Sequence, residues 1–203
     1  LVKSFADYQI RRKNLTTQKR KLLRQKDEIA ASLLSKLQGM DTFGNPPFDS
    51  VLLPAGGSEL KRIAPLLAFF DVDPSRVKLL GTTLWDETAG LNLEPALVGA
   101  WYVAPDPKGV GEFIERFKKH YGYKPPRLAT LGYDAMLVAA ALSQTTRNGE
   151  QPAFDIHDPR GFIGVDGIIR LLPNGSNERG YAVLEVGKTG PVVVDDAPLR
   201  FLY

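Results

Sequence analysis

The side chains that most often catalyse reactions or bind transition metals are scarce in this sequence. Its 203 residues include no cysteine and only two histidines, His120 and His157. Neither histidine has a partner at the spacing that metal-ligand motifs use. His120 follows Lys118 and Lys119 at the end of a predicted helix, where the helix dipole favours a cation. We therefore predict that the chain has no catalytic residue, no metal site and no cofactor, and that it is not an enzyme.

One loop suited to ligand binding follows a predicted strand and contains Ala55, Gly56, Gly57 and Ser58. Glycines let backbone N–H groups face outward, and the N-terminus of the next helix attracts anions or polar groups. The alternative is that the two glycines only shape the turn and that Ser58 caps the helix. The segment lacks the residues of a phosphate-binding Walker loop or of a serine nucleophile elbow.

A second loop follows the next predicted strand and contains Thr82, Thr83, Trp85 and Asp86. Two hydroxyls, an indole and a carboxylate could line a cleft, with Trp85 as stacking surface and hydrogen-bond donor. The alternative is that Trp85 belongs to the core and Asp86 caps a helix. Ligands of open α/β sheets bind beyond the carboxyl ends of the strands, so we expect the two loops to share one groove.

The elements that must position these loops alternate between short apolar runs and helical segments. Residues 51–53, 77–81 and 97–104 are predicted strands, and residues 58–70 form an amphipathic helix with Ser58 as its N-cap. Strands separated by helices pair in parallel. The predicted fold class is α/β, with an open, mostly parallel sheet flanked by helices.

The second half of the sequence predicts two further helices and a C-terminal β-hairpin. Residues 108–121 form an amphipathic helix, and a second helix begins at residue 129 or 133 and ends at Gln144. This second helix is apolar almost all round, so its burial requires neighbours on several sides. Residues 161–172 and 180–186 are strand-like and are joined by turn-forming residues at 173–177.

The N-terminal segment is strongly basic. Residues 1–38 hold ten Lys and Arg against three acidic residues, a net charge of +7, whereas the whole chain carries +3 and the remainder therefore −4. Residues 2–37 lack Gly and Pro and predict one long helix, or two with a break at residues 14–17. We expect Arg20, Lys21 and Arg24 on its solvated face to contact a protein or an anionic polymer.

The basic helix also invites a nucleic-acid or membrane interpretation. We do not expect nucleic acid as a partner, because aromatic residues are not interleaved with the basic cluster and no nucleic-acid-binding motif accompanies it. No apolar run approaches the ~20 residues that cross a bilayer. The chain begins at Leu1 without an initiator Met, so we expect a mature or truncated piece that has lost its targeting signal.

Five segments, taken in order, resemble the periplasmic binding proteins of the leucine/isoleucine/valine-binding type, and among them the branch of penicillin-binding protein activators. They are FDSVLLPA (48–55), LGTTLW (80–85), GAWYVAP (99–105), YDA (133–135) and GVDG (164–167). The resemblance covers about residues 48–195 and implies a fold of two α/β lobes that close over a ligand. Residues 48–107 and 150–203 would form most of the C-terminal lobe, residues 108–149 a helical pair of the N-terminal lobe, and residues 1–47 the basic helical segment.

The resemblance implies a non-enzymatic periplasmic protein that binds and activates a peptidoglycan synthase, a penicillin-binding protein. The alternative is the solute-binding component of an amino-acid ABC transporter, whose partner would be a small polar ligand. Such receptors usually have an acidic side chain in the loop after the second strand and an aromatic one after the first. This chain has Thr82 and Thr83, with Asp86 the nearest acid, in one loop and Gly56 and Gly57 in the other, which disfavours capture of a free amino acid.

Two further expectations follow from the resemblance. A lipid on the absent N-terminus would anchor the protein to the outer membrane. The apolar helix at residues 133–144 would be covered by a second copy of the chain, as a homodimer, or by repacking against the lobe.

Overall fold

The computed structural model describes residues 2–25, 27–143 and 155–201, which form two compact units. The first unit comprises the described residues of Leu1–Trp101 and Val186–Gly190, and the second those of Tyr102–Glu185 and Pro191–Tyr203. The basic segment therefore lies in the same unit as residues 48–101, and residues 108–143 lie in the same unit as residues 155–185. The resemblance assigns residues to lobes with other boundaries than those of the two units, and these lobes stay a prediction.

The described strands form two sheets. The larger has the order β1-β2-β3-β7-β8 and is mostly parallel, and the smaller has the order β4-β5-β6. β1 and β2 pair in parallel, as predicted, with Leu53 opposite Gly81. The strands are β1 Ser50–Leu53, β2 Lys78–Gly81, β3 Trp101–Ala104, β4 Phe162–Gly164, β5 Gly167–Leu171, β6 Asn177–Arg179, β7 Ala182–Val186 and β8 Pro191–Asp195.

The N-terminal segment forms three helices: α1 Val2–Phe5, α2 Tyr8–Gln25 and α3 Glu28–Leu37. Both predicted alternatives are wrong: residues 2–37 do not form one helix, and residues 14–17 lie inside α2, where the Thr16 and Thr17 hydroxyls donate to carbonyls one turn back. One break falls at Asp7, which has a left-handed φ of 49°. Asp27 begins α3 by accepting a hydrogen bond from the Ala30 amide. Four apolar residues hold α2 and α3 together: Leu15, Leu22, Ala30 and Leu37.

The helix between β1 and β2, α4, covers Gly57–Phe69 and buries Leu60, Ala64 and Leu67 along one face. This i, i+4, i+7 spacing is the pattern that predicted the helix. The third strand begins later than residue 97, because Pro95–Leu97 forms a short 3-10 turn. β3 therefore covers only Trp101–Ala104.

The second unit contains α5, Pro107–Tyr121, and α6, Ala129–Ser143, close to the predicted helices; the predicted end at Gln144 lies outside the described residues. The predicted hairpin between residues 161–172 and 180–186 is wrong in its second strand. The turn at residues 173–177 joins β5 to β6, and β5 and β6 form the antiparallel hairpin. β4 pairs antiparallel with β5. No helix in the described ranges is long and apolar enough to cross a membrane.

Candidate functional site

The two loops predicted to bind a ligand lie next to each other in the first unit. Because β1 and β2 are parallel and in register, the loops that follow them leave the same edge of the sheet. They are in close contact: a Cβ on Gly56 would lie 2.7 Å from the Leu84 carbonyl oxygen. Glycine at this position is therefore required by the approach of the second loop.

Trp85 lies in the core, which favours the structural alternative for this residue. Its exposed fraction is 0%, and its Nε1–H donates a hydrogen bond of 3.1 Å to the Leu53 carbonyl. The ring packs against Gly81, where a Cβ would lie 2.2 Å from the indole. The indole thus joins β1 and β2 from within and has no face open to solvent.

The start of α4 differs from the predicted capping arrangement. The N-cap residue is Gly56, which has no side-chain cap, and Ser58 is already inside the helix and exposed, so its prediction as N-cap is wrong. Gly57 has a left-handed φ of 55°, and its N–H donates a hydrogen bond of 2.7 Å to the Thr88 hydroxyl. The Thr88 hydroxyl in turn donates to the Leu84 carbonyl. The first amide of the helix is therefore satisfied by the protein itself.

The other predicted ligand residues lie at the surface of this loop pair. Thr82 caps a short 3-10 turn by accepting a hydrogen bond from the Leu84 amide, and Thr83 is half-buried. Asp86 ends that turn and is exposed, and Ala55 is half-buried. The side chains that a ligand could reach here are mostly polar, apart from Ala55 and Leu84, which is 54% exposed. The role of the predicted residues in binding stays a prediction.

A surface that sequence reasoning missed lies between α5 and α6 in the second unit. It is a groove of about 440 Å³ lined by Phe113, Arg116, Phe117, His120, Tyr121, Ala129, Gly132, Tyr133 and Met136. Its aromatic rings contact one another, with centroids 4.5 Å apart for Phe117 and Tyr121 and 5.2 Å for Phe113 and Tyr133. The spacing of Phe113, Phe117 and Tyr121 at successive helix turns is the sequence signal that could have indicated it.

The apolar helix α6 is largely uncovered. It buries only Thr130, Asp134 and Val138, a stripe at i, i+4 spacing. Met136 is 69% exposed, and Leu131, Tyr133 and Leu137 are also exposed. The described residues thus leave α6 without neighbours on most sides, and a second copy of the chain as its cover stays a prediction.

A buried polar network holds the inner face of α6. Asp134 is 1% exposed and accepts hydrogen bonds from the Val165 amide (2.6 Å), the Asp166 amide (3.1 Å) and the Arg179 guanidinium (3.2 Å). Asp166, also buried, accepts from the Arg127 guanidinium. These bonds join two of the segments that carry the family resemblance, YDA and GVDG. All four carboxylate oxygens of Asp134 and Asp166 accept hydrogen bonds from the protein, so the network has a structural role.

The basic residues of α2 divide into one buried arginine and an exposed set. Arg11 is 3% exposed and donates to the carbonyls of Ala6, Phe70 and Asp71 and to the Thr42 hydroxyl. The predicted partner-contact residues are all exposed: Arg20, Lys21 and Arg24.

The two histidines lie apart from any cluster of ligands. His157 Nδ1 lies 3.2 Å from the Leu171 carbonyl, and the ring of His120 packs against Tyr121. In the part of the chain that the structure describes, no three His, Asp or Glu side chains are placed to hold a metal ion.

Replacing Trp85 with phenylalanine is expected to lower the free energy of unfolding by ~1–3 kcal/mol, since it removes a buried hydrogen bond and leaves a small cavity. Trp101→Phe is the matched control, because that indole is only half-buried. Urea denaturation of both variants measures the difference. Equal stabilities would contradict the core assignment of Trp85.

Comparison with known proteins identifies the fold. No protein-family model matches the chain, and no curated protein matches its sequence. A branched-chain amino acid ABC transporter periplasmic ligand-binding protein from Burkholderia xenovorans is similar in structure, with a TM-score of 0.52, 18% identity, and coverage of 83% of this chain and 47% of that one. At this identity the similarity shows the fold alone, that of type I periplasmic binding proteins.

Two other solved structures are similar at lower TM-scores. The leucine-binding protein LivK from Thermotoga maritima has a TM-score of 0.45 and 21% identity over 83% of this chain and 48% of that one. The C-domain of LpoA from Haemophilus influenzae, a regulator of PBP1A, has a TM-score of 0.48 and 13% identity over 83% of this chain and 59% of that one. The chain spans about half the length of the two amino-acid-binding proteins. These three structures are of two binding proteins and one regulator.

Proposed function

We propose that this chain belongs to a non-enzymatic protein of the cell envelope that binds a partner protein and activates a peptidoglycan synthase. The observation that carries the proposal is the exposed aromatic and apolar surface of α5 and α6. Large exposed apolar patches on a folded protein mark sites of contact with other proteins or ligands. The periplasmic binding protein fold supports an envelope location, and the lipid anchor is part of the proposal.

The chemistry of the groove defines the partner it fits. Aromatic residues, methionine and arginine are the side chains enriched at the centres of protein interfaces. Its lining includes Arg116, which lies over the Tyr133 ring at 5.8 Å, and His120, and the described residues place no carboxylate in it. We therefore infer a partner segment that packs apolar side chains against the rings and places a carboxylate near Arg116.

The loop pair after β1 and β2 supports solute binding less well. Trp85 is buried, and the first amide of α4 donates to Thr88 instead of facing outward. An amino-acid ligand could use the side chains of Ser58, Thr82, Thr83 and Asp86, which are at least partly accessible. This edge remains the proposed ligand site of the second candidate function, a solute-binding component of an ABC transporter, which the similarity in fold favours.

Replacing Met136 with arginine is expected to weaken binding to a purified penicillin-binding synthase at least tenfold, because a charged side chain would replace the apolar thioether and would have to be desolvated where the partner's apolar side chains pack. Leu93→Arg is the matched control, since Leu93 is 76% exposed and lies in the other unit. Binding of the whole chain is measured by surface plasmon resonance, and activation by the rate of glycan polymerisation. Equal affinities of the two variants would contradict the groove as the contact surface.

Thermal shift and mass measurements on the unmodified chain distinguish synthase binding from solute binding and from self-association. A solute receptor gains ~2.7 kcal/mol of stability from a ligand at 100 times its dissociation constant. We expect no thermal shift with a panel of free amino acids, and a clear shift together with no synthase binding would favour the transporter function. If the mass of the chain in solution doubles as its concentration rises, and the Met136→Arg variant stays monomeric, a second copy of the chain occupies the groove. That result would contradict the proposal.

A further inference from the structure

Helix α2 carries a dense positive charge that no described carboxylate neutralises, apart from that of its buried Arg11. Its 18 residues include seven Lys and Arg and no acidic residue. Six of the seven face solvent at least in part, and among the described residues none of these six pairs with a carboxylate: Arg12, Lys13, Lys19, Arg20, Lys21 and Arg24. Like charges one turn apart, such as those of Arg20 and Arg24, repel each other. An anionic partner would relieve that repulsion.

These charges are held in a fixed array. Arg11 fastens α2 to the end of α4, and apolar contacts fasten it to α3. On a regular helix, Lys13, Arg20 and Arg24 fall within an arc of about 40° and span about 16 Å along the axis. A small anion would contact one or two of them, whereas an extended anionic surface would contact all three.

Apolar side chains flank the basic stripe. Ile10 is 58% exposed and Leu23 is 60% exposed, and helical geometry places them on opposite sides of the stripe. A helix that presents cations between exposed aliphatic side chains suits the boundary between lipid headgroups and acyl chains. Nucleic acid is less well matched, because Tyr8, the aromatic residue of α2, packs against Phe70 at 5.3 Å and cannot stack on bases.

We propose that α2 is a docking surface for a membrane of anionic phospholipids. Lys13, Arg20 and Arg24 contact the lipid phosphates, and Ile10 and Leu23 lie at the headgroup boundary. The inference goes beyond the proposed synthase contact, which uses α5 and α6. It also needs no other protein, so the two can fail separately.

The test is co-sedimentation of the whole chain with vesicles of phosphatidylcholine alone or with one third phosphatidylglycerol. We expect binding to the anionic vesicles only, and its loss at high salt, because salt screens exposed charges. The triple variant Lys13→Gln, Arg20→Gln, Arg24→Gln should bind about a hundredfold more weakly, since each cation near an anionic surface contributes severalfold to affinity. Leu23→Gln should weaken binding without changing its salt dependence.

The matched control removes three exposed cations of the second unit, Lys108→Gln, Lys119→Gln and Lys124→Gln, and changes the net charge equally. This control is expected to bind as the unmodified chain does, and thermal melting checks that both triple variants are folded. Equal losses in the two triple variants would overturn the proposal. So would equal binding to both kinds of vesicle, or binding to a DNA duplex without binding to vesicles.

Discussion

Replacing Arg11 with alanine is expected to lower the free energy of unfolding by about 3 kcal/mol. The guanidinium donates to the carbonyls of Ala6 (2.9 Å), Phe70 (2.9 Å) and Asp71 (3.1 Å) and to the Thr42 hydroxyl (3.1 Å). Hydrogen bonds from a charged donor contribute ~1.5–3 kcal/mol each, and buried acceptors that lose their donor are costly. The Asp71 carboxylate, 3.6 Å away, is partly exposed and can be hydrated, which limits the loss.

Two further variants test the geometry of this contact. Arg11→Lys keeps the charge but lacks the planar fork of donors, so we expect it to recover less than half of the loss. Arg12→Ala removes an exposed neighbour in the same helix and should change stability by less than about 0.5 kcal/mol. Urea unfolding of the three variants gives the ranking. A stable Arg11→Ala protein would mean that α2 is held by its apolar contacts alone.

The contact between Arg11 and the end of α4 could not be predicted from the sequence. Arg11 belongs to the run Arg11-Arg12-Lys13, and by composition it is indistinguishable from its solvated neighbours. Its acceptors at Phe70 and Asp71 lie about 60 residues away in the chain. Contacts over such distances have no local pattern, whereas the periodicity that predicted the helix is local.

Elements with a strong local pattern were predicted well. β1, α4 and β2 agree with the predicted ranges within one residue, because short apolar runs mark the strands and apolar residues recur every three or four residues in the helix. Their parallel pairing also followed from the order of the elements. Helix breaks and caps were predicted less well. Ser58 was expected to be the N-cap of α4, but the helix begins at Gly57 and its N-cap is Gly56.

In the candidate sites, too, features with a local sequence pattern were predicted and features that depend on packing were not. The sequence predicted that the loops at Gly56 and Thr83 lie at one edge of the sheet, and in the structure these loops are in contact. It left Trp85 undecided between ligand and core, because an indole suits both and only its burial distinguishes them. The groove between α5 and α6 depends on how two helices pack, which a stripe of aromatic residues alone does not specify.

The unit that carries this groove depends on one buried carboxylate. Each Asp134 oxygen accepts from a fixed donor: Oδ1 from the Val165 amide, and Oδ2 from the Asp166 amide and the Arg179 guanidinium. Gly164 leaves the space for it, because a Cβ there would lie 2.4 Å from the carboxylate carbon. Asp134 therefore fastens α6 to the turn between β4 and β5 and to β6.

Replacing Asp134 with asparagine is expected to lower the free energy of unfolding by about 3–4 kcal/mol, although the two side chains have nearly the same volume. In either amide orientation the NH2 group would face an N–H donor, and the Arg179 guanidinium, whose side chain is 12% exposed, would lose its counter-charge. Asp196→Asn, the same change at an exposed position of the same unit, should alter stability by less than about 0.5 kcal/mol. If Asp134→Asn unfolds at the same urea concentration as Asp196→Asn, the network only fills space, and the position of α6 beside the groove has another cause.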